Sequence, residues 1–253
     1  MSAPVTPLPP VQVNPLLEGM TIATGPIDAR FDGLGCTDAL IVGGRGCTLS
    51  CEFCQNHEIS QAIAFGMPFL SNPFDVARVL RDRVIEDDLG GVVFTYSEPL
   101  QMLDLVSATR SVFRCSGPAQ FFVAAKTSAH TNDYSWRKFI NCVDALNIDV
   151  KGDDDFYRSK CMGFFDCVLR NARIAVNKGK RVELTFLMIP GMEEGLSMAM
   201  ADMAREVGDV PAWIRGFVPA HRMKDVPMAT KEDVSWARDM ASHYFSIVRT
   251  SYI

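Results

Sequence analysis

The chain has 253 residues, with 25 Lys and Arg against 30 Asp and Glu and a formal net charge of −5. Its 48% apolar content is enough for one sizeable core, and its length suits a single α/β barrel. The acidic balance, without a Lys/Arg-rich run, argues against nucleic acid or an anionic membrane as partner and leaves a small molecule or a polypeptide.

Residues 1–29 contain no Lys or Arg but several prolines, among them Pro4, Pro7, Pro9, Pro10 and Pro15. They lack the basic start and apolar core of a signal peptide, and no apolar run is long enough to span a bilayer. The expected location is cytoplasmic, where eight clustered and scattered cysteines point to metal or redox work rather than a disulfide framework. Residues 1–20 read as an extended lead-in, and 21–253 as one domain.

Short apolar runs at 39–42, 91–95, 120–124, 144–150, 182–189 and 213–218 predict strands. Helical patterns alternate with them. Asn72 and Pro73 form a cap and first-turn pair ahead of Val76, Val79, Leu80 and Val84, which share one helical face. Further helices are predicted over 99–114, 133–141, 164–178, 194–207 and 230–246. Strand followed by helix, six times over, implies parallel pairing and a partial (β/α)6 TIM-like barrel with outer helices; an open doubly wound sheet is the alternative. In either fold, functional groups gather where strands end.

The first of these strands runs through Gly43, Gly44, Arg45 and Gly46 into Cys47, Cys51 and Cys54, spaced C-x3-C-x2-C. Three thiolates are one too few for a [4Fe–4S] cube, so one iron is left open to a substrate or cofactor. The main alternative is zinc, completed as a Cys3His site by His57; a disulfide is a lesser one. The glycines let backbone approach a bulky group, or simply make a turn.

The stretch from Gly46 to Asn56, with Phe53 before the third cysteine, resembles the signature loop of the radical S-adenosylmethionine (SAM) superfamily. Thr95 to Pro99 is similar to its Gly-Gly-Glu-Pro segment, with Tyr96 and Ser97 in place of the glycines. Asn147 to Lys151 resembles the Asp-x-Lys segment of activating enzymes for glycyl-radical proteins. Gly216 to Met223 resembles the last strand and loop of the same group. The likeness spans about residues 36–245 and is nearest to the pyruvate formate-lyase activating enzymes and the AmmeMemoRadiSam relatives.

This resemblance implies a [4Fe–4S] cluster held by Cys47, Cys51 and Cys54, with SAM on the open iron. It implies reductive cleavage of SAM to a 5′-deoxyadenosyl radical that takes hydrogen from a small-molecule or peptide substrate. Phe53, Tyr96, Ser97, Glu98, Lys126, Thr127, Asp149, Lys151 and Val218 would shape the SAM site. The partners implied are an electron donor such as flavodoxin or ferredoxin and, if the chain is an activase, a glycyl-radical protein. A non-catalytic zinc or iron–sulfur protein is the reading from another class.

Each of these residues also has a plainer reading. Glu98 suits a helix N-terminus, with Ser97 as its cap. Asp149 and Lys151 lie on one face of a strand and suit a solvated ion pair. His130 and His221 suit surface loops, and Arg222 and Lys224 suit either solvent or an anionic substrate. Cys161 suits a hydrogen donor to a substrate radical, and more simply a small buried core residue. Lys151, His221 and Cys161 are the candidate catalytic residues.

Overall fold

A computed structural model describes residues 20–26, 38–61, 72–117 and 121–251. Apart from Met20, the proline-rich lead-in lies outside these residues. Eight strands form one sheet whose spatial order is the chain order: β1 Thr21–Pro26, β2 Asp38–Gly43, β3 Gly91–Phe94, β4 Phe122–Thr127, β5 Ala145–Val150, β6 Arg181–Met188, β7 Ala212–Gly216 and β8 Val248–Ser251. Strands β2 to β8 run parallel, and β1 pairs antiparallel with β2.

Parallel neighbours need crossovers, and the helices supply them. These are α1 His57–Ser60, α2 Pro73–Glu86, α3 Leu103–Ser116, α4 Asp133–Ile140, α5 Asp154–Phe156, α6 Phe165–Asn177, α7 Glu193–Val207 and α8 Lys231–Ala241. The cap expected at Asn72 is present, its side chain accepting from the Phe74 amide with Pro73 in the first turn. Thr230 and Asp233 form a reciprocal capping box on α8. This helix ends at Ala241, short of the expected 246, because Phe245 turns inward against Phe186 before β8 begins.

The six expected strands are the middle six of the sheet, so the partial barrel of parallel strands stands, with one extra strand at each edge. Period two divides the sheet into faces. Leu40, Val42, Val92, Phe94, Val123, Leu146, Ile148, Leu184, Phe186 and Ile214 pack outward into the helix-covered core. The inner face carries a separate small apolar cluster of Ala39, Val93, Phe122, Ala124 and Ala145. Beyond it the inner face turns polar. Asn147, Glu183 and Thr185 are buried there, the Thr185 hydroxyl donating to the Asn147 side-chain oxygen Oδ1 at 2.8 Å. Such groups are tolerated in a core only when hydrogen-bonded.

Candidate active site

The loop after β2 carries Cys47, Cys51 and Cys54 as free thiols, Cys51 buried and the others half-buried. Its backbone is tied down from several sides. Ser50 and Glu52 donate their amides to the carbonyls of Cys161 and Lys160, and Lys160 reaches the Glu52 carboxylate at 2.9 Å. Gln61 donates to the Cys51 carbonyl at 3.0 Å. The glycines before the loop make room for neighbouring side chains. A Cβ on Gly43 would meet the Tyr96 ring, and one on Gly44 the Met102 sulfur, while Gly46 takes a left-handed φ of 87°.

The loop after β3 is joined to the cysteine loop. Asn56 donates to the Tyr96 carbonyl at 2.8 Å, and the Glu98 amide donates to the Gly46 carbonyl. Tyr96 sits at φ 66°, strained for a residue with a Cβ. Glu98 is buried and accepts four hydrogen bonds: from Thr127 Oγ1 at 2.5 Å, from the Ser128 amide and hydroxyl at 2.8 and 2.6 Å, and from the Leu100 amide at 3.2 Å. Burial raises its carboxyl above the ordinary range, with these donors pulling the other way. The cap of the short 3₁₀ turn Pro99–Met102 is therefore Glu98 and not Ser97, because Pro99 occupies the first helical position.

At the ends of β4 and β5, Lys126 and Lys151 flank Asp149, with Nζ to carboxylate distances of 3.1 and 3.2 Å. All three are mostly buried, so this is not a solvated pair. Burial pushes the Asp149 carboxyl up, but the two lysines outweigh it and hold it well below the usual carboxylate range. Burial likewise opposes the Lys151 charge, which Asp149 first and the Cys51 thiolate second more than restore.

Asp149→Asn is expected to destabilise the fold by about 2 kcal/mol at neutral pH, since two lysines would lose their shared carboxylate. Paired denaturation curves measure it. The folded pKa lies below the ordinary ~3.9, so the difference persists at every pH above that value and is lost only as pH falls through the folded pKa. A difference that disappeared between about pH 8 and 6 would contradict the pairing.

Several buried polar atoms at these strand ends have no partner among the described residues: Thr48 Oγ1 in the cysteine loop, Ser97 Oγ beside Glu98, His130 Nδ1 after β4 and His221 Nε2 after β7. Unpaired buried groups are rare in folded proteins, and four converging on one end of a sheet mark a site built for a ligand. Among the described residues, no three Cys, His, Asp or Glu side chains are grouped to hold a single metal ion. Zinc needs its ligands within about 2.0–2.3 Å of one point, whereas a four-iron cube spreads its thiolates over separate corners. His57 is also otherwise engaged, with Nδ1 at 3.2 Å from the Cys54 carbonyl and its ring stacked on His221 at 4.3 Å.

A family model of the radical SAM superfamily matches residues 41–203, well over half of the chain. The chain belongs to the radical SAM superfamily. Members of that superfamily bind a [4Fe–4S] cluster and SAM. It is 27% identical over 230 residues to an uncharacterised protein of Methanocaldococcus jannaschii, covering 87% of this chain and 66% of that protein. The chain thus spans a little under two thirds of that relative's length.

Among solved structures it is similar to SuiB of Streptococcus suis bound to S-adenosylmethionine, with a TM-score of 0.60 and 12% identity over 82% of this chain and 48% of that one. It is also similar to a radical SAM methyltransferase of Sphaerobacter thermophilus, with a TM-score of 0.56 and 15% identity over 85% and 66% of the two chains. A domain of a pyruvate formate-lyase activating enzyme of Bacteroides vulgatus gives a TM-score of 0.51 and 17% identity over 64% and 99%. At such identities the likeness is one of fold, the partial barrel.

The remaining expected residues of this radical SAM site fall at different depths. Phe53 is buried with its ring 5.6 Å from that of Phe156. Val218 is half-buried just beyond β7. Cys161 is fully buried at the end of a π-helical turn, Tyr157–Cys161, beneath the cysteine loop. Its thiol lies against Cys51, lowering the Cys51 pKa while its own is driven up. Burial first and Glu98 second push the Cys47 thiol up to about 12. His221 takes a left-handed φ of 50° and is favoured neutral by desolvation and by neighbouring His57, Arg222 and Lys224.

Sequence reasoning missed Thr48 and Asn56 as members of the site. It also missed Tyr157, whose buried hydroxyl lies between the Asp149 carbonyl and the Lys151 amide. Asn56 is the last residue of the signature stretch and was findable. Tyr157 gave no signal, since a tyrosine in an amphipathic stretch reads as core.

Proposed function

We propose that this radical SAM enzyme abstracts hydrogen from a small-molecule or peptide substrate, with Cys47, Cys51 and Cys54 holding the cluster. The observation that carries this reading is the placement of the three thiols on one loop at the C-terminal ends of the parallel strands, where half-buried Thr48, Ser97 and His221 carry buried polar atoms with no partner among the described residues. Held by Cys47, Cys51 and Cys54, the cluster would supply one-electron reduction for the cleavage of SAM.

The chain's own residues bind and orient. Lys151, fixed by Asp149, places a positive charge beside the Cys51 thiolate and favours the ionised donor. Tyr96 and Ser97 offer backbone carbonyls to the SAM ammonium, and the buried Glu98 carboxylate, its lone pairs taken by four protein donors, offers negative charge. Lys126, Thr127, Asp149 and Val218 lie at successive strand ends, where the rest of SAM would rest, and Phe53 packs the loop from behind. The buried inner face excludes water and competing hydrogen donors. A low-potential donor such as flavodoxin or ferredoxin supplies the electron, in a cytoplasmic setting.

Anaerobic reconstitution tests the reading. About four irons and four sulfides per chain, and 5′-deoxyadenosine formed from SAM with dithionite, are expected. One zinc per chain with no SAM cleavage would overturn it. Deuterium transfer from labelled small molecules or peptides into 5′-deoxyadenosine would then identify the substrate hydrogen. Transfer only from a labelled glycine in a partner protein would instead make the chain an activase.

A further inference from the structure

The inner face of β5 to β8 carries charge that the site described above does not use. Strand register sets Asp149, Thr185, Trp213 and Arg249 in one row, and Leu187, Arg215 and Ser251 in the next row toward the C-terminal ends. Arg215 therefore shares a face with Asp149 and Lys151, toward the mouth. Five cations, Lys126, Lys151, Arg181, Arg215 and Arg249, share this face with two carboxylates, Asp149 and Glu183, in a chain whose net charge is −5, and all but Arg181 lie toward its C-terminal end.

Most of these groups are already engaged. The two lysines hold Asp149. Glu183, a row deeper, is buried beside Asn147. Arg249 lies over the Trp213 ring at 5.7 Å. Arg215 is half-buried and has no hydrogen bond, ion pair or ring contact among the described residues. One position along the same face, Trp213 is 7% exposed, and its indole N–H is buried without an acceptor among the described residues.

The buried indole N–H carries a desolvation cost that nothing among the described residues offsets, and the half-buried Arg215 guanidinium beside it has no protein acceptor there. One anionic group placed between them would satisfy both. The planar guanidinium fork matches a carboxylate or a phosphate in two parallel hydrogen bonds, and the surplus of positive charge on the wall favours an anion entering the mouth.

We propose that Arg215 is the substrate-binding residue for an anionic group, carboxylate or phosphate, with the Trp213 indole N–H as second donor. The proposal rests on the radical SAM reading, in that it takes the inner face as the substrate chamber. The substrate is then an acid or a phosphate ester anchored on β7, with its reacting carbon toward the Asp149 and Lys151 side of the mouth.

Calorimetric titration of inorganic phosphate and of acetate into the oxidised, cluster-loaded protein saturated with SAM tests this at constant ionic strength. Saturable binding of one anion per chain is expected. Arg215→Gln should weaken it at least about tenfold and Arg215→Lys less, the lysine keeping charge but not the fork. The tighter of the two anions names the substrate group.

Failure of both anions to saturate, or undiminished binding by Arg215→Gln, overturns the proposal. If Arg215→Gln melts early, Arg215→Lys carries the test, and undiminished binding there is equally fatal. The titration involves no SAM cleavage, so 5′-deoxyadenosine formation by the same preparation is judged separately. A protein that cleaves SAM and ignores both anions refutes the role of Arg215 alone. One that binds the anion through Arg215 and cleaves no SAM refutes the radical chemistry alone.

Discussion

Cys51→Ala is expected to give a folded protein with no [4Fe–4S] cluster and no detectable 5′-deoxyadenosine, while His57→Ala keeps both. The fold should survive because the hydrogen bonds that fix the loop at this point use backbone: the Ser50 and Glu52 amides reach Cys161 and Lys160, and Gln61 donates to the Cys51 carbonyl. Losing one small buried sulfur costs about 1 kcal/mol. Losing one of three thiolates leaves two irons of a cube without a protein ligand, and the cluster is not retained. His57 faces elsewhere, toward the Cys54 carbonyl and the His221 ring, so its removal costs a stacking contact and one hydrogen bond to backbone. Iron and sulfide content, cluster absorbance and chromatography of the nucleoside products measure the pair. Cluster loss in His57→Ala would make the histidine a fourth ligand and revive the zinc alternative.

What the sequence made legible was the local part of the structure. The six central strands are buried on both faces and read as short apolar runs. The Asn72 and Pro73 cap, the cysteine spacing and the shared face of Asp149 and Lys151 all lie within a few residues of one another. The edges were harder to read. β1 contains Gly25 and Pro26, β8 is four half-buried residues, and each has a single neighbouring strand, so neither needs an apolar run. Contacts between distant segments were out of reach. That Lys126 is the second partner of Asp149 depends on the pairing of β4 with β5, which sets Lys126 beside Asn147. The same holds for Arg215, whose place above the Asp149 row follows from two successive registers.

Glu98 shows the same limit, and its variants are expected to separate brace from binding site. Its carboxylate joins the β3 and β4 loops through Thr127 and Ser128, about thirty positions away, and Thr127 Oγ1 in turn accepts from the Ala129 amide. Glu98→Ala strands four donors at once, three of them buried, and should cost about 3 kcal/mol or more, read as a large fall in melting temperature. Glu98→Gln keeps one carbonyl oxygen for Ser128, and its amide can donate to Thr127 Oγ1, so the loss of stability should be about 1 kcal/mol. The glutamine lacks the charge that attracts an ammonium. SAM affinity, measured by equilibrium binding to the oxidised cluster-loaded protein, is therefore expected to fall about tenfold in Glu98→Gln while the fold is largely kept. If Glu98→Gln bound SAM as tightly as the parent, Glu98 would be a brace alone, and the ammonium would belong to the backbone carbonyls of Tyr96 and Ser97, which Asn56 and the strained Tyr96 backbone hold at the mouth.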